Sequence, residues 1–270
     1  MSDVILTAAL TGPVATKADH PSLPCSPQEI AEAARGACAA GAAVVHVHLR
    51  DEQGRPTARL DIAQRVVALI EESCPALVQL STGVGLEVPF EDRERLVEAR
   101  PRMATLNVCS MTFGGGEFRN PPDGVRRLAA RMRELGVRPE IELYDLGHLE
   151  VALRLLHEDL LEPPLRFSVV MGVQGGIPAT PRDLVAFAER IPEGSVWQVI
   201  GIGRGNLPMT AIGLAIGANA RTGLEDTLLV RRGTPATSNA QLVSRLAELA
   251  RALDRTPASP GEAAALLQLG

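Results

Sequence analysis

The sequence predicts one α/β domain over residues 1–270, a single (β/α)8 barrel (TIM barrel), and three observations carry the prediction. Short apolar, β-branched runs alternate with amphipathic stretches from one end of the chain to the other. Eight such strand–helix units fit the length, since 270 residues is close to the roughly 250 of a typical barrel. The rival architecture, a doubly wound open sheet, usually has fewer strands and a glycine-rich turn after the first. Here the first run leads into "TGPVATKADHPSLPCSP", a long loop without that turn, and no shift in composition marks a domain boundary.

The local patterns justify each element in order. The predicted strands are "VILTAAL" (4–10), "AAVVHVHLR" (42–50), "ALVQLSTG" (76–83) and "MATLNVCS" (103–110). They continue with "PEIELYD" (139–145), "LRFSVVMG" (165–172), "SVWQVIGIG" (195–203) and "ARTGLEDTLL" (220–229). Between them, apolar residues recur at spacings of three and four, which places them on one helix face. "SPQEIAEAARGACAAG" opens a helix with Ser26 as N-cap, Pro27 in the first turn and Glu29 three residues after the cap, a capping box. "TPRDLVAFAERI" and "SNAQLVSRLAELARALD" begin in the same way, with Thr180 and Ser238 as caps.

Composition narrows the function. A net charge of −5 leaves no basic footprint for a nucleic acid. No N-terminal charged-then-apolar signal is present, and no apolar run approaches the ~18 residues of a membrane span. The four cysteines (Cys25, Cys38, Cys74, Cys109) lack metal-binding or disulfide-framework spacing, as expected for reduced thiols in a cytoplasmic protein. Lys17 is the only lysine and sits in the loop "GPVATKADHP". Imine chemistry needs a buried amine of lowered pKa, so a Schiff-base mechanism is not expected.

Barrel enzymes carry their chemistry at the C-terminal ends of the strands, so polar residues late in each run are the ones to question. His46 and His48 are two apart and therefore project to one side of their strand. Two imidazoles so placed can share a metal ion at Zn–N distances of about 2.0–2.1 Å. The bland alternative is a pair of buried histidines bonded to backbone or carboxylates. A catalytic zinc needs a third protein ligand. His20, His148 and His157 lie in a loop, at a helix start and within a helix, so a carboxylate is the better third donor. Glu225 and Asp226 are expected within the last strand, where adjacent residues face opposite sides and only one can be a ligand. Arg221, four residues before Glu225, shares its side in an ideal strand, and an Arg–Glu ion pair closing the barrel is the competing account.

Other strand ends add polar groups. Ser81 and Thr82 precede glycines that let backbone N–H groups approach an anion. Thr105 and Asn107 share one side of their strand, and Glu142 sits mid-strand, where burial is costly unless it is paired or functional. Two glycine-rich loops, "GVQGGIPAT" (172–180) and "GIGRGNLPMT" (201–210), follow the sixth and seventh strands. With exposed amides and a helix N-terminus beside it, Arg204 next to Gly203 suits a phosphate or pyrophosphate. A plain turn explains the same loop.

Taken in order, "LTAALTG", "GAAVVHVHLRDEQGRPT", "QLSTG", "MATLNVCSM", "PEIELYDLGH", "GVQGGIPATP", "WQVIGIGR" and "ARTGLEDTL" are specific. Through them the chain resembles, over essentially its whole length, the β-keto acid cleavage enzymes. The resemblance implies a zinc-dependent (β/α)8 barrel, commonly a homotetramer, that acts on a β-keto acid and acetyl-CoA. The products would be acetoacetate and a new CoA ester. By that pattern His46, His48 and Glu225 match the zinc ligands, Asp226 the base, and Arg221 the group facing the developing enolate. Ser81 and Thr105 match the holders of the substrate carboxylate, with Thr82 or Asn107 as alternatives, and Glu142 matches a further active-site acid. Gly203 and Arg204 become candidates for contact with CoA. The first loop is expected to line the variable end of the substrate, where Pro13, Val14 and Ala15 argue against a cationic group, although Asp19 is close in sequence.

Two other readings compete. A zinc hydrolase of the amidohydrolase type also uses H-x-H in a barrel, but on the first strand and with further histidines on the fifth and sixth. Here the pair is on the second strand, and "PEIELYD" and "LRFSVVMG" contain no histidine. A non-catalytic barrel binding an acyl-CoA or keto acid would have no use for a base, an arginine and an open metal position.

Overall fold

Eight parallel strands pair edge to edge into a closed ring in the computed structural model, which describes residues 3–269. The first half of the chain supplies β1 (Leu6–Ala9), α1 (Pro27–Ala39), β2 (Val44–Val47), α2 (Leu60–Ser73), β3 (Leu77–Leu80), α3 (Phe90–Arg93) and β4 (Met103–Asn107). A hairpin of β5 (Met111–Phe113) and β6 (Gly116–Phe118) follows, then α4 (Pro122–Leu135), β7 (Arg138–Leu143), α5 (Leu146–His157) and β8 (Arg166–Met171). The remainder is α6 (Pro181–Ala188), β9 (Val196–Gly201), α7 (Asn206–Ala215), β10 (Asn219–Thr222), a hairpin of β11 (Leu229–Arg231) and β12 (Thr234–Pro235), α8 (Asn239–Ala252) and α9 (Pro260–Leu266). Around the ring the order is β1-β10-β9-β8-β7-β4-β3-β2. All eight predicted strand regions enter it, each shorter than its apolar run.

The predicted helix starts are formed as expected. Ser26 accepts from the Glu29 amide in a reciprocal capping box, and Thr180 and Ser238 accept from the Asp183 and Gln241 amides. Apolar residues on the outer faces of the strands pack under the helices: Val45, Val47, Val78 and Leu80 under α1 and α2, and Ile141, Leu143, Phe167 and Val169 in a second cluster with α4 and α5. The interior is polar in layers. Glu140 accepts from Ser168 Oγ (2.5 Å) and Gln198 Nε2 (2.9 Å), tying β7, β8 and β9 together and satisfying a carboxylate that would otherwise be costly to bury. The N-terminal end of the barrel is closed by the segment after α9, where Leu267 packs with Ile5 and Val44. Arg166 Nε holds the Leu267 carbonyl at 2.8 Å.

The last predicted strand needs correction. The run 220–229 is broken after Thr222, so Glu225 and Asp226 lie in a turn and not in a strand. The cause is Gly223, whose φ of +153° is open to glycine, and where a Cβ would collide with the Ala9 carbonyl. The turn is fixed by Glu225 N–H donating to that same carbonyl (3.2 Å) and Thr227 N–H to Gly223 O (2.9 Å). The alternation argument that kept Glu225 and Asp226 on opposite faces therefore does not apply.

Ring closure also sets the neighbours of the site. Because β1 lies between β2 and β10, with Ala9 opposite His46 and Thr7 opposite Arg221, residues far apart in sequence flank one short strand. The four cysteines are free. No helix among the described residues is long and apolar enough to cross a membrane.

Candidate metal centre and active site

His46 ends the inward row of β2 and His48 follows one residue past the strand, so both imidazoles reach the C-terminal mouth of the barrel. Each Nε2 lies 3.5 Å from Glu225 Oε1. Ligand atoms of the three residues all lie within 4.8 Å of one another. Gly12 allows the approach, since any side chain there would strike Glu225. Asn239, the first residue of α8, braces the turn by accepting from the Leu224 amide (2.8 Å) and donating to Leu10 O (3.0 Å).

The donor set fits a metal. Two imidazole nitrogens and a carboxylate oxygen are a zinc set that leaves a fourth position open. His46 Nε2 and Glu225 Oε2 are buried without a hydrogen-bond partner, which is costly for polar atoms unless a ligand completes them. His46 Nδ1 meets Gln79 Oε1 at 2.7 Å. A carbonyl oxygen only accepts, so Nδ1 carries the proton and the Nε2 lone pair faces Glu225. Gln79 sits opposite His46 in the β2–β3 register. Its one sequence signal is the same-side spacing with Ser81 in "QLSTG". We expect Gln79→Leu to weaken zinc affinity about 10- to 100-fold, measured by competition with a chelator, because the imidazole loses its orienting acceptor. Unchanged affinity would show that Gln79 only packs.

Charge is concentrated beside this cluster. Arg221 grips Asp226 through Nε (3.1 Å) and Nη2 (2.8 Å), and Nη2 also reaches Glu225 Oε1 at 2.5 Å. Its Nη1 stands 3.9 Å from Glu142 and has no hydrogen-bond partner, leaving one buried donor free. Glu142 Oε2 accepts from the Tyr144 hydroxyl at 3.1 Å. Burial alone would raise the Glu225 pKa, but Arg221 and the two imidazoles outweigh it and hold the carboxyl well below its ordinary value. Asp226 goes the other way: burial raises its pKa by more than Arg221 lowers it. Adjacent carboxyls are thus differentiated into a standing anion and a stronger base, an arrangement typical of acid–base sites. Asn206 ties down the backbone at Arg221, donating from Nδ2 to Gly201 O (2.9 Å) and Arg221 O (3.4 Å) and accepting from Thr222 Oγ1 (2.7 Å).

The polar ends of β3 and β4 form a second group. Thr82 donates its hydroxyl proton to Thr105 O (2.8 Å), and its amide donates to Thr105 Oγ1 (3.0 Å). Ser81 Oγ accepts from the Gly83 amide (3.2 Å). Ser81 and Thr105 therefore keep hydroxyl protons to give, Thr82 does not, and Asn107 Nδ2 is buried with no partner. The Gly203–Arg204 loop differs from expectation. The Gly203 amide is engaged by Asp226 O (2.7 Å) and the Gly205 amide by Ile202 O (3.1 Å), so these are not free for an anion. Arg204 is exposed and makes no ion pair among the described residues.

His46 lies on the second strand with His48 one residue past its end, and the fifth and sixth strands, β7 and β8, carry no histidine, unlike an amidohydrolase-type site. A family model described as "beta-keto acid cleavage enzyme" matches residues 3–269. The 3-keto-5-aminohexanoate cleavage enzyme of Fusobacterium nucleatum subsp. nucleatum is 38% identical over 271 residues, covering 100% of this chain and 99% of that protein. The 3-oxoadipate:acetyl-CoA acetyltransferase of Cupriavidus necator is 35% identical, covering 98% and 94%. Among solved structures, the apo structure of ObcA superposes with a TM-score of 0.79 at 22% identity, over 93% of this chain and 66% of that longer one, a likeness of fold.

Proposed function

The chain belongs to the beta-keto acid cleavage enzyme family, and on that premise we propose that it condenses a β-keto acid with acetyl-CoA, giving acetoacetate and a new acyl-CoA. His46, His48 and Glu225 would hold one zinc ion, which when bound polarises the chelating keto and carboxylate oxygens of the substrate and lowers the cost of an enolate. The observation that carries the reading is the three-donor cluster with the Arg221–Asp226 pair against it.

The protein's own residues act around that centre. Ser81 and Thr105 donate their remaining hydroxyl protons to the substrate carboxylate, and the free Asn107 amide is placed to add a third donor. Asp226 takes a proton from the carbon between the keto and carboxylate groups, and its raised pKa suits it to hold that proton. The Arg221 Nη1 donor, free of other bonds, faces the charge that develops. The resulting carbanion attacks the acetyl thioester carbon and the CoA thiolate leaves. That thiolate then attacks the original keto carbon; the carbon–carbon bond breaks, forming the acyl-CoA, and acetoacetate leaves as its enolate. Asp226 returns the proton, so the cycle is balanced. Glu142, hydrogen-bonded to Tyr144, keeps a second acid beside Arg221. No lysine is required, in keeping with the single, loop-borne Lys17.

At the other end of the substrate, the loop through Val14 is held to the barrel by Arg50, which donates to the Gly12 and Ala15 carbonyls. Val14 is 76% exposed. A neutral group beyond the keto carbon fits this loop better than a cation does, and Asp19 is occupied with Thr16. Arg204 is the cation nearest in sequence to the Asp226-bonded Gly203 and remains our candidate for a CoA phosphate. The relatives' names support an acyltransferase; a cytoplasmic location and assembly as a homo-oligomer are part of the proposal. The test is a panel of β-keto acids with acetyl-CoA, read as acetoacetate formed by protein holding about one zinc per chain. Acetoacetate is expected only when both substrates are present; consumption of the keto acid without the CoA ester would replace this reading with hydrolysis.

A further inference from the structure

Arg93, the last residue of α3, is 2% exposed and has no carboxylate within ion-pair distance among the described residues. Its guanidinium lies between two aromatic rings, 5.1 Å from the Phe90 centroid and 4.9 Å from that of Phe118. Burial lowers its pKa to about 10, which leaves it charged at neutral pH. An isolated buried cation is destabilising, and in a protein of net charge −5 a carboxylate partner would be easy to supply. What Arg93 has instead is four hydrogen bonds to neutral oxygens. Nη1 donates to Thr82 O (3.2 Å) and Asn120 Oδ1 (3.3 Å), and Nη2 donates to Arg119 O and Asn120 Oδ1 (3.4 Å).

The Thr82 contact leads directly to the substrate-facing hydroxyls. Thr82 O belongs to the Thr82–Gly83 peptide, and the N–H of that peptide donates to Ser81 Oγ. Each bond in such a chain polarises the next, in the direction that makes the Ser81 hydroxyl a better donor. The other contacts fasten the turn after β4: Asn120 donates from Nδ2 to Cys109 O (2.9 Å) and from its amide to Ser110 Oγ (2.8 Å). One guanidinium therefore joins the turns after β3 and β4, beside Ser81 and beside Thr105 and Asn107 of β4, which form the second polar group of the site.

We propose that Arg93 is a positioning residue for the substrate carboxylate, acting through the Thr82–Gly83 peptide and the Ser81 hydroxyl and supplying the positive charge that this anion needs. The proposal rests on the reading of Ser81 as a carboxylate donor. It accounts for a buried cation without an acid, because the missing anion arrives with the substrate.

The test uses zinc-loaded full-length protein and two probes of nearly equal shape, acetoacetate and methyl acetoacetate, with affinities measured by calorimetry. Arg93→Met keeps an unbranched stem between the rings and removes the charge. It is expected to weaken acetoacetate on the order of tenfold, to leave the methyl ester within about twofold, and to raise KM for the keto acid far more than it lowers kcat. Arg93→Lys should recover part of the loss. In a Ser81→Ala background the effect of Arg93→Met should shrink to a small fraction, since the relay is already cut. Equal weakening of acid and ester, or full additivity with Ser81→Ala, overturns the proposal and leaves Arg93 as a brace. If Ser81→Ala alone leaves acetoacetate affinity unchanged, the carboxylate reading itself fails and the relay falls with it. Should Arg93→Met not fold, Arg93→Lys in the two backgrounds decides by the same comparison.

Discussion

Asp226→Asn is expected to lower kcat by about 10²- to 10⁴-fold, roughly 3–5 kcal/mol of barrel-mouth catalysis, while the protein still binds about one zinc per chain. The substitution is nearly isosteric, so the Arg221 contacts at 2.8 Å and 3.1 Å keep a neutral acceptor on one side and lose the charge. What disappears is the capacity to take a proton. The measurement that checks this is steady-state acetoacetate formation alongside metal analysis on the same preparation. Full activity with Asn at 226 would move the base elsewhere, and Glu142 would become the first residue to examine, since it is also buried beside Arg221. Loss of activity together with loss of zinc would instead mean that Asp226 helps hold the metal.

His46→Ala should leave the protein without stoichiometric zinc after dialysis and without detectable acetoacetate formation. Losing a ligand is expected to cost more affinity than the 10- to 100-fold typical of an outer-shell partner. Stability gives an independent readout. A ligand at about 100 times its Kd stabilises the native state by about 2.7 kcal/mol. For a chain of this size that corresponds to roughly 5–10 °C in Tm. Added zinc should therefore raise the melting temperature of the parent and not that of His46→Ala. A zinc-dependent shift that survives the substitution would place the ion at some other group.

Much of the fold was legible because its signals are local. Ser26 with Glu29 three residues on, and Thr180 and Ser238 before apolar periodicity, specify helix starts through bonds made within one turn, and all three caps form. The side-by-side projection of His46 and His48 follows from strand geometry alone. The hairpin of β5 and β6 also had a signal, three glycines between short apolar segments, but strand periodicity over three residues is too brief to stand out. Gln79, Arg93, Asn206 and Asn239 were missed for a different reason. Each acts through a partner on another element, and a lone amide or arginine in a strand end, helix or loop carries no pattern of its own.

The alternation of strands and helices, the helix caps and the same-side presentation of two imidazoles at the end of the second strand are all written in the residue pattern. All of these depend on backbone geometry and contacts over a few residues. Which carboxylate joins the imidazoles is set by the closed ring. Glu225 reaches the histidines because β10 pairs with β1, β1 pairs with β2, and Gly223 turns the chain against the Ala9 carbonyl. The pairing of β10 with β1 and the Glu225 N–H bond to the Ala9 carbonyl join segments more than two hundred residues apart, and they form only when the ring closes.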